Sequence, residues 1–289
     1  MKRTNKTAGT GEIGEAAKSQ KPQGPHATKV DKKKGPIEVE ATKEGAIDIC
    51  ILGTSDAIIL EAVNQKMLRE LLNPSPKVFG KAREQRLKHD PMQEFQDSVY
   101  RLHDPKAPTL LALNATGFKK AMAGAATDLP GSSRAQIGRL TWTAGMRIPL
   151  YGIPSMMMSM VRSADQNKTP DVRTRACIAR WAAIVRIHYV EPNLTPKAIV
   201  NLMNAAGRTQ GIGGWRQEKG SGNYGQFTVC DPSNLEFREI IQTGGRAAQE
   251  TAMDPKNVTF YDTETEDLYG WFMEEVARRG HEKRLKFVA

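Results

Sequence analysis

Glycines are concentrated in one short segment of this 289-residue chain, and cationic and aromatic side chains lie between them. The glycines are Gly207, Gly211, Gly213, Gly214, Gly220, Gly222 and Gly225. The other prominent residues are Trp215, Arg216, Lys219 and Tyr224. Glycine costs backbone entropy, so this density predicts sharp turns, positive φ angles or the close approach of another backbone. Cations and aromatic rings on such a backbone suit a polyanion better than a small apolar ligand.

Residues 211–225, called the glycine loop below, include a match to the GxGxxG pattern at 220–225. A dinucleotide-binding loop of that kind connects a strand to the N-terminus of a helix, whose dipole faces the pyrophosphate. Here a predicted helix precedes the glycines and a predicted strand follows them. Because this order is reversed, we expect no nucleotide cofactor, and no other cofactor is indicated.

The ionisable residues do not form the pattern of a catalytic or metal site. The five histidines are scattered and lack metal-ligand spacing. The three cysteines, Cys50, Cys177 and Cys230, form neither a CxxC pair nor a disulfide framework, so reduced thiols are expected. His188 is a candidate general base beside the glycine loop, and the alternative is a hydrogen-bonded strand residue.

The formal net charge is +10, which favours polyanionic partners such as nucleic acid or an acidic membrane surface. The alternative is a basic protein without such a partner. No apolar segment reaches membrane-spanning length and no signal peptide is apparent, so we expect a cytoplasmic protein that does not enter a membrane. Arg162, Arg173 and Arg175 belong to a basic segment that either contacts phosphates or is a solvated surface.

Hydrophobic periodicity and turn residues predict an α+β protein. The predicted elements are strands at 46–52 and 109–113, a helix at 117–127, a β-hairpin at 136–152, a strand at 180–190, a helix from Pro196 that Gly207 ends, a strand at 225–230 and a helix at 263–279. This order is compatible with a split βαβ, that is, a ferredoxin-like or RRM-like antiparallel sheet core with helical insertions.

Three regions are predicted along the chain. Residues 1–44 lack aromatic residues and are rich in Lys, Gly, Thr and Glu, which predicts a disordered basic tail. Such a tail either adds affinity for nucleic acid or only solubilises the protein. Residues 45–232 are predicted to form the RRM-like core, and residues 233–289 a helical C-terminal extension packed on it.

Three blocks of the sequence resemble recurrent blocks in uncharacterised phage and prophage proteins. They occupy residues 205–216 with 224–227, residues 114–122, and residues 171–176 followed by Trp181. The resemblance spans about residues 46–230 and implies a phage-encoded protein. Both ends of the chain lie outside it.

The layout is also similar to the RAMP superfamily, RRM-like proteins that build the backbones of CRISPR effector complexes. The resemblance implies that the glycine loop contacts RNA through its glycines and Arg216, with Lys119 and Lys120 near the start of the first helix. The chain departs from the family because it lacks a clear second RRM-like half. Glu218 also interrupts the basic loop.

These features together predict a non-enzymatic protein that binds single-stranded RNA or DNA irrespective of sequence, in several copies along one strand. The predicted binding residues are Lys119, Lys120, Arg162, Arg173, Arg175, Arg208, Gly211, Gly213, Gly214, Trp215, Arg216, Lys219, Gly222 and Tyr224. One alternative is a structural or virion assembly protein whose Met-rich segment and C-terminal helix contact other subunits. Another is a metal-independent endoribonuclease of the RAMP type that uses His188.

Overall fold

The computed structural model describes residues 41–62, 89–162, 170–219 and 222–280. Ten strands occur within them: β1 (Lys43–Gly53), β2 (Ile58–Ile59), β3 (Tyr100–Arg101), β4 (Leu111–Asn114), β5 (Thr141–Thr143), β6 (Arg147–Tyr151), β7 (Ser155–Arg162), β8 (Pro170–Ile178), β9 (Ala182–Glu191) and β10 (Phe227–Cys230). The same residues contain seven α-helices: α1 (Pro91–Asp97), α2 (Ala115–Ala125), α3 (Arg134–Leu140), α4 (Pro196–Thr209), α5 (Leu235–Thr243), α6 (Arg246–Met253) and α7 (Thr263–Arg278). Of the predicted tail, residues 1–40 lie outside the described part of the chain.

The larger sheet is antiparallel and has the strand order β10-β1-β9-β6-β4-β3, with β5 also paired to β9. Its longest ladder joins β1 to β9, from Lys43 opposite Glu191 to Leu52 opposite Ala182. Helix α2 lies between β1 and β6 in the chain, and α4 lies between β9 and β10. The order β10-β1-β9-β6 is therefore that of a split βαβ. The prediction of an α+β fold with an antiparallel, ferredoxin-like sheet and helical insertions is confirmed.

The main core lies on one face of this sheet. The alternation of strand side chains places Ile49 and Ile51 of β1 in a cluster with buried residues of α2 and α4, including Phe118 and Met203. Thr195 caps α4 through the Ala198 N–H, and Pro196 takes its first position, as the sequence predicts. On the opposite face, α5 covers a smaller cluster that contains Cys50 and Leu52.

Gln249 of α6 joins several segments through a buried hydrogen-bond network. Its Oε1 accepts the N–H groups of Leu110 and Leu111, both at 2.9 Å. The two N–H groups of its Nε2 are shared among the carbonyls of Leu150, Gly152 and Gly244, at 2.7, 2.9 and 3.0 Å from the nitrogen. All of these groups are polar and lie in or beside the core, where an unpaired group is costly. Gln249 therefore holds α6 against the strands β4 and β6.

The smaller sheet has the order β2-β8-β7 and contributes to two clusters. Ala176 and Ile178 of β8 face the main core. Cys177 points the other way, into a cluster with Ile59 and Met157. The Met-rich strand β7 has the same division, because Met156 and Met158 belong to the main core and Met157 belongs to the cluster with Cys177.

The predicted hairpin at 136–152 is wrong. Residues Arg134–Leu140 form the helix α3, which Ser133 caps through the N–H of Gln136. Ile137 is buried and Leu140 packs against the main core. These two residues are three positions apart, so they lie on the same face of a helix. Strands β5 and β6 pair with β9 and not with each other.

His89, which precedes α1, connects this helix to the strand β8. Its Nδ1 lies 2.8 Å from a carboxylate oxygen of Glu94, and its Nε2 lies 2.9 Å from one of Asp171. Two carboxylate acceptors favour a ring that is protonated on both nitrogens. The hydrogen bond to Glu94 accordingly raises the pKa of His89, with further help from Asp171, while burial opposes the shift.

A raised pKa makes this link dependent on pH. Its stabilisation is fully present below the ordinary histidine pKa of about 6.5 and is lost as the pH rises through the higher pKa of the folded state. We expect His89→Gln to lower the free energy of unfolding by on the order of 1 kcal/mol at pH about 6 and by less at pH about 9. Urea titrations at both pH values measure this difference. His103→Gln, at an exposed position, is the control, and an equal effect of His89→Gln at both pH values would contradict the assignment.

Candidate functional site

The glycine loop folds back on itself through backbone hydrogen bonds. The Ile212 N–H donates to the Gly225 carbonyl at 2.9 Å, and the Gly225 N–H donates to the Ala57 carbonyl at 2.8 Å. Gly214 donates to the Ile59 carbonyl at 2.8 Å, which ties the loop to β2. Gly211, Gly213 and Gly225 have φ angles of +64°, +86° and +72°, a region that glycine occupies without strain.

Close backbone contacts explain further glycines. A Cβ on Gly225 would overlap the Ile212 carbonyl, and one on Gly222 would overlap the Trp215 carbonyl. Gly207 is buried inside α4, where a Cβ would overlap the Phe227 carbonyl of β10. The prediction that Gly207 ends the helix is therefore wrong, because its role is close packing against a strand. The helix continues to Thr209.

An aromatic pair projects from the loop. The rings of Trp215 and Tyr224 stack with centroids 6.2 Å apart and planes at 8°. Tyr224 packs against the cluster that contains Ile59 and Cys177, whereas Trp215 is 38 % exposed. Trp215 also has a φ of +51°, which is uncommon for a residue with a side chain. The loop therefore holds an indole ring at the surface, on a tyrosine that is itself supported by the core.

A cleft of about 380 Å³ separates the glycine loop from α2. Its walls come from the loop, the β4–α2 junction, the end of β2, the start of α3 and the α1–β3 connection. The lining residues are Leu60, Glu61, Ser98, Tyr100, Ala112, Leu113, Asn114, Thr116, Gly117, Phe118, Lys120, Ala121, Arg134, Gly211, Ile212, Gly213, Arg216 and Glu218.

The two carboxylates of the cleft each have an arginine partner. Glu218 accepts from the Arg216 guanidinium at 2.8 Å, and the same guanidinium donates to the Gly213 carbonyl at 3.0 Å. Glu61 lies 3.3 Å from Arg175, whose side chain is only 11 % exposed. Burial lowers the pKa of Arg175, although Glu61 opposes that shift. These pairs account for the negative charge of the cleft.

Two cations remain in the cleft. Lys120 of α2 and Arg134 of α3 are exposed, and neither forms an ion pair with another residue in the described part of the chain. The N-terminal end of α2 also lies here, capped by Asn114 and without an acidic residue in its first turn. The helix dipole makes this end positive. Arg147, opposite Asn114 in the sheet, lies 3.7 Å above the Tyr100 ring at the cleft wall. The cleft is therefore suited to an anion.

The structure brings part of the predicted binding set together. Lys120, Gly211, Gly213 and Arg216 line the cleft. Gly214, Trp215, Gly222 and Tyr224 belong to the same loop. Lys219 ends the short 3-10 helix Gln217–Lys219, and Gly220 lies outside the described residues.

The other predicted residues do not line the cleft. Lys119 lies half-buried on α2, and Arg208 is exposed on α4. Arg162 and Arg173 are exposed on β7 and β8 of the smaller sheet. Arg175 is the partner of Glu61.

Sequence reasoning missed Arg134, Tyr100 and Arg147. Arg134 was assigned to no site because the segment that follows it was predicted as a strand. The signal for a helix was present, since Ser133 is a good N-cap and Ile137 and Leu140 lie three residues apart. Tyr100 and Arg147 come from separate strands, and nothing in the local sequence marks them.

His188 lies away from the glycine loop. Its Nδ1 is 2.6 Å from a Glu44 oxygen, and its ring stacks on Trp142 with centroids 5.7 Å apart. It is opposite Ala46, whereas the loop meets the other end of β1, where the Thr54 N–H donates to the Gln226 carbonyl. At about 3.3 Å per residue, Ala46 and Thr54 are about 26 Å apart along the chain of β1. His188 is a hydrogen-bonded strand residue and is not positioned beside the loop.

No group of three His, Cys, Asp or Glu side chains that could hold a metal ion occurs among the described residues. In the same part of the chain, no helix has the length and apolar character needed to cross a bilayer.

Comparisons with known proteins give a partial structural likeness. No family model matches the chain, and no curated protein matches it. Among solved structures, it is similar to a chain in the cryo-EM structure of the Type III-B Cmr-beta bound to cognate target RNA. The identity is 13 %, the TM-score is 0.34, and the match covers 65 % of this chain and 60 % of that one, which is less than two thirds of its length. The likeness thus concerns part of each chain, at low identity and low structural agreement.

The close contacts of the loop predict which glycines tolerate a side chain. We expect Gly225→Ala to lower the free energy of unfolding by on the order of 3 kcal/mol, because the new Cβ overlaps a carbonyl and the φ is positive. The matched control is Gly270→Ala in α7, where a Cβ meets nothing within 4 Å. That change should stabilise the protein by up to about 1 kcal/mol. Urea denaturation compares the two, and a Gly225→Ala protein as stable as the wild type would refute the packing argument.

Proposed function

We propose that this protein binds single-stranded nucleic acid, RNA or DNA, largely irrespective of sequence, in the cleft between the glycine loop and α2. One observation carries the proposal. Lys120 and Arg134, from two different helices, line the same cleft as Arg216 and the positive end of α2. A net charge of +10 adds a long-range attraction for a polyanion.

The cleft has the chemistry that a phosphate backbone requires. Lys120 and Arg134 supply charge without a carboxylate partner in the described residues, and each would neutralise one phosphate. Arg216 is 29 % exposed and Glu218 is 35 % exposed, so their ion pair contributes little to stability. A phosphate can therefore replace Glu218 on the Arg216 guanidinium at small cost.

Trp215 supplies a contact for bases. Its ring is supported by Tyr224 and is partly exposed, which is the arrangement on which an unpaired base can stack. Stacking does not distinguish strongly between bases, in agreement with sequence-tolerant binding.

We propose that the bound nucleic acid continues from the cleft over the smaller sheet. Tyr224 packs on the face of β8 that carries Cys177, and residues two apart on a strand share a face. Arg175 and the exposed Arg173 therefore point to the same side as the aromatic pair. The nucleic acid would run from α2, across the glycine loop, towards Arg173. Contacts of this kind also allow several copies of the protein to bind along one nucleic-acid molecule.

The proposal is one of binding without a catalytic step, and no general base is assigned to the cleft. The alternative of an assembly protein receives little support from the Met-rich strand. Met156, Met157 and Met158 are buried in the chain itself, and Met160 is the exposed methionine of this strand.

The salt dependence of binding tests the cations of the cleft. On single strands, each phosphate contact contributes about 0.7 to the slope of log K against log salt. We expect the double variant Lys120→Gln/Arg134→Gln to weaken binding of a labelled poly-U or poly-dT oligonucleotide and to reduce this slope by about 1.4. Fluorescence anisotropy across a salt series measures both quantities.

The matched control removes the same charge elsewhere. Lys197→Gln/Lys256→Gln changes two exposed lysines outside the cleft lining. It should leave the slope nearly unchanged. Absence of wild-type binding at low salt would overturn the proposed function, and equal slopes for the two double variants would overturn the proposed site.

Trp215→Ala tests the stacking contact separately. We expect this change to weaken binding by about 1–3 kcal/mol without changing the salt slope, because no charge is removed. Trp271→Ala, at a 57 % exposed tryptophan on α7, is the control and should bind like the wild type. The same anisotropy titration is used, and an unchanged affinity for Trp215→Ala would exclude the indole from the interface.

A further inference from the structure

Two of the three cysteines face each other across the edge of the larger sheet. Cys50 of β1 is directly opposite Cys230 of β10 in the antiparallel register. Directly opposite residues project from the same face of a sheet. Both side chains accordingly belong to one cluster under α5, together with Phe237 and Ile240. Both thiols are free.

The register fixes the approximate distance between these residues. The Thr54 N–H donates to the Gln226 carbonyl at 2.9 Å, so that pair is of the hydrogen-bonded kind. Such pairs alternate with non-bonded pairs along a ladder, and counting back places Cys50 and Cys230 in a hydrogen-bonded pair. The Cα atoms of such a pair are about 5.5 Å apart, within the range of disulfides. The Cβ atoms of a hydrogen-bonded pair are about 5.5 Å apart and need to approach by about 1–2 Å to reach the range of disulfides.

We propose that Cys50 and Cys230 are a modification site, at which a low-molecular-weight disulfide converts the two thiols into a reversible cross-strand disulfide. Cys230 is the more exposed thiol. Its thiolate attacks one sulfur of oxidised glutathione, which forms a mixed disulfide and releases one glutathione thiolate. The Cys50 thiolate then attacks the Cys230 sulfur and releases the second glutathione. Two protein thiols and one glutathione disulfide give one protein disulfide and two glutathione thiols.

The surroundings of the pair determine how readily it reacts. Burial raises the pKa of the Cys230 thiol to about 11, and Cys50 and Asp231 add to this effect. Burial also raises the pKa of Cys50. The thiolate is the attacking species, so oxidation is slow near neutral pH and accelerates about tenfold per pH unit. Because the Cβ atoms must move closer, the bond is under tension and is easily reduced again.

The disulfide would fix the strand that leaves the glycine loop. Strand β10 begins at Phe227, one residue beyond the end of the loop, and is an edge strand that pairs with β1. A bond at Cys230 attaches the far end of this strand covalently to β1. Cys177 is buried in the smaller sheet, on the cluster with Ile59 and Met157, and does not belong to this pair.

Peptide mapping tests the inference on the full chain. The reduced protein is incubated with oxidised glutathione at pH 7, 8 and 9, the remaining thiols are alkylated in denaturant, and the digest is analysed by mass spectrometry without reduction. We expect loss of two hydrogens from the intact mass, one cross-linked peptide pair that contains Cys50 and Cys230, and an alkylated Cys177. The rate should rise about tenfold per pH unit, and dithiothreitol should restore all three thiols.

Variants distinguish the pair from unspecific oxidation. Cys177→Ala should form the same disulfide, whereas Cys230→Ser should form none. Three alkylated cysteines after prolonged exposure, a glutathione adduct that persists on Cys230, or a bond that includes Cys177 would each overturn the proposal. The mapping of the wild-type chain decides the matter even where a variant does not fold. None of these outcomes depends on whether the protein binds nucleic acid.

Discussion

The candidate site depends on contacts between backbones that leave no room for a Cβ atom. Gly207 brings α4 against β10, and Gly222 and Gly225 bring the two sides of the glycine loop together. These contacts place the loop beside β2, where it forms one wall of the cleft. They also hold Trp215 over Tyr224. The glycines therefore act through the packing of the chain on itself, and the cations and the indole take their positions from that packing.

Glu218, the acidic residue among the cations of the glycine loop, has a consistent role in this arrangement. It and the Gly213 carbonyl hold the Arg216 guanidinium in one orientation at the cleft. A partly exposed ion pair adds little stability, so it restrains the arginine without binding it strongly. An arginine ordered in advance loses less conformational entropy when it meets a phosphate. A carboxylate in the loop is thus compatible with an anion site, provided that other cations such as Lys120 and Arg134 are not neutralised.

Local signals predicted the parts of the fold that local physics determines. The alternation in β1 and β9, and the Thr195–Pro196 start of α4, were sufficient for the strands and helix of the split βαβ. Prediction failed where a local pattern allowed two outcomes. Gly207 suits both a helix end and a helix interior packed on a strand, and only the contact with Phe227 decides between them. The segment from Gln136 was predicted as a strand although Ser133 caps a helix that begins at Arg134, and Arg134 was therefore missing from the predicted site.

The remaining features depend on strand register or on contacts between elements that are distant in the chain, and a single sequence specifies neither. The period of two along a strand indicates which residues share a face, but it does not indicate which residue lies opposite. Cys50 with Cys230, Arg175 with Glu61, and Gln249 with Leu111 are each far apart in the chain and meet only in the fold. A shift of one residue between β1 and β10 would turn Cys230 to the opposite face from Cys50. For the two cysteines, register therefore decides whether the thiols can react with each other, while composition indicates only that thiols are present.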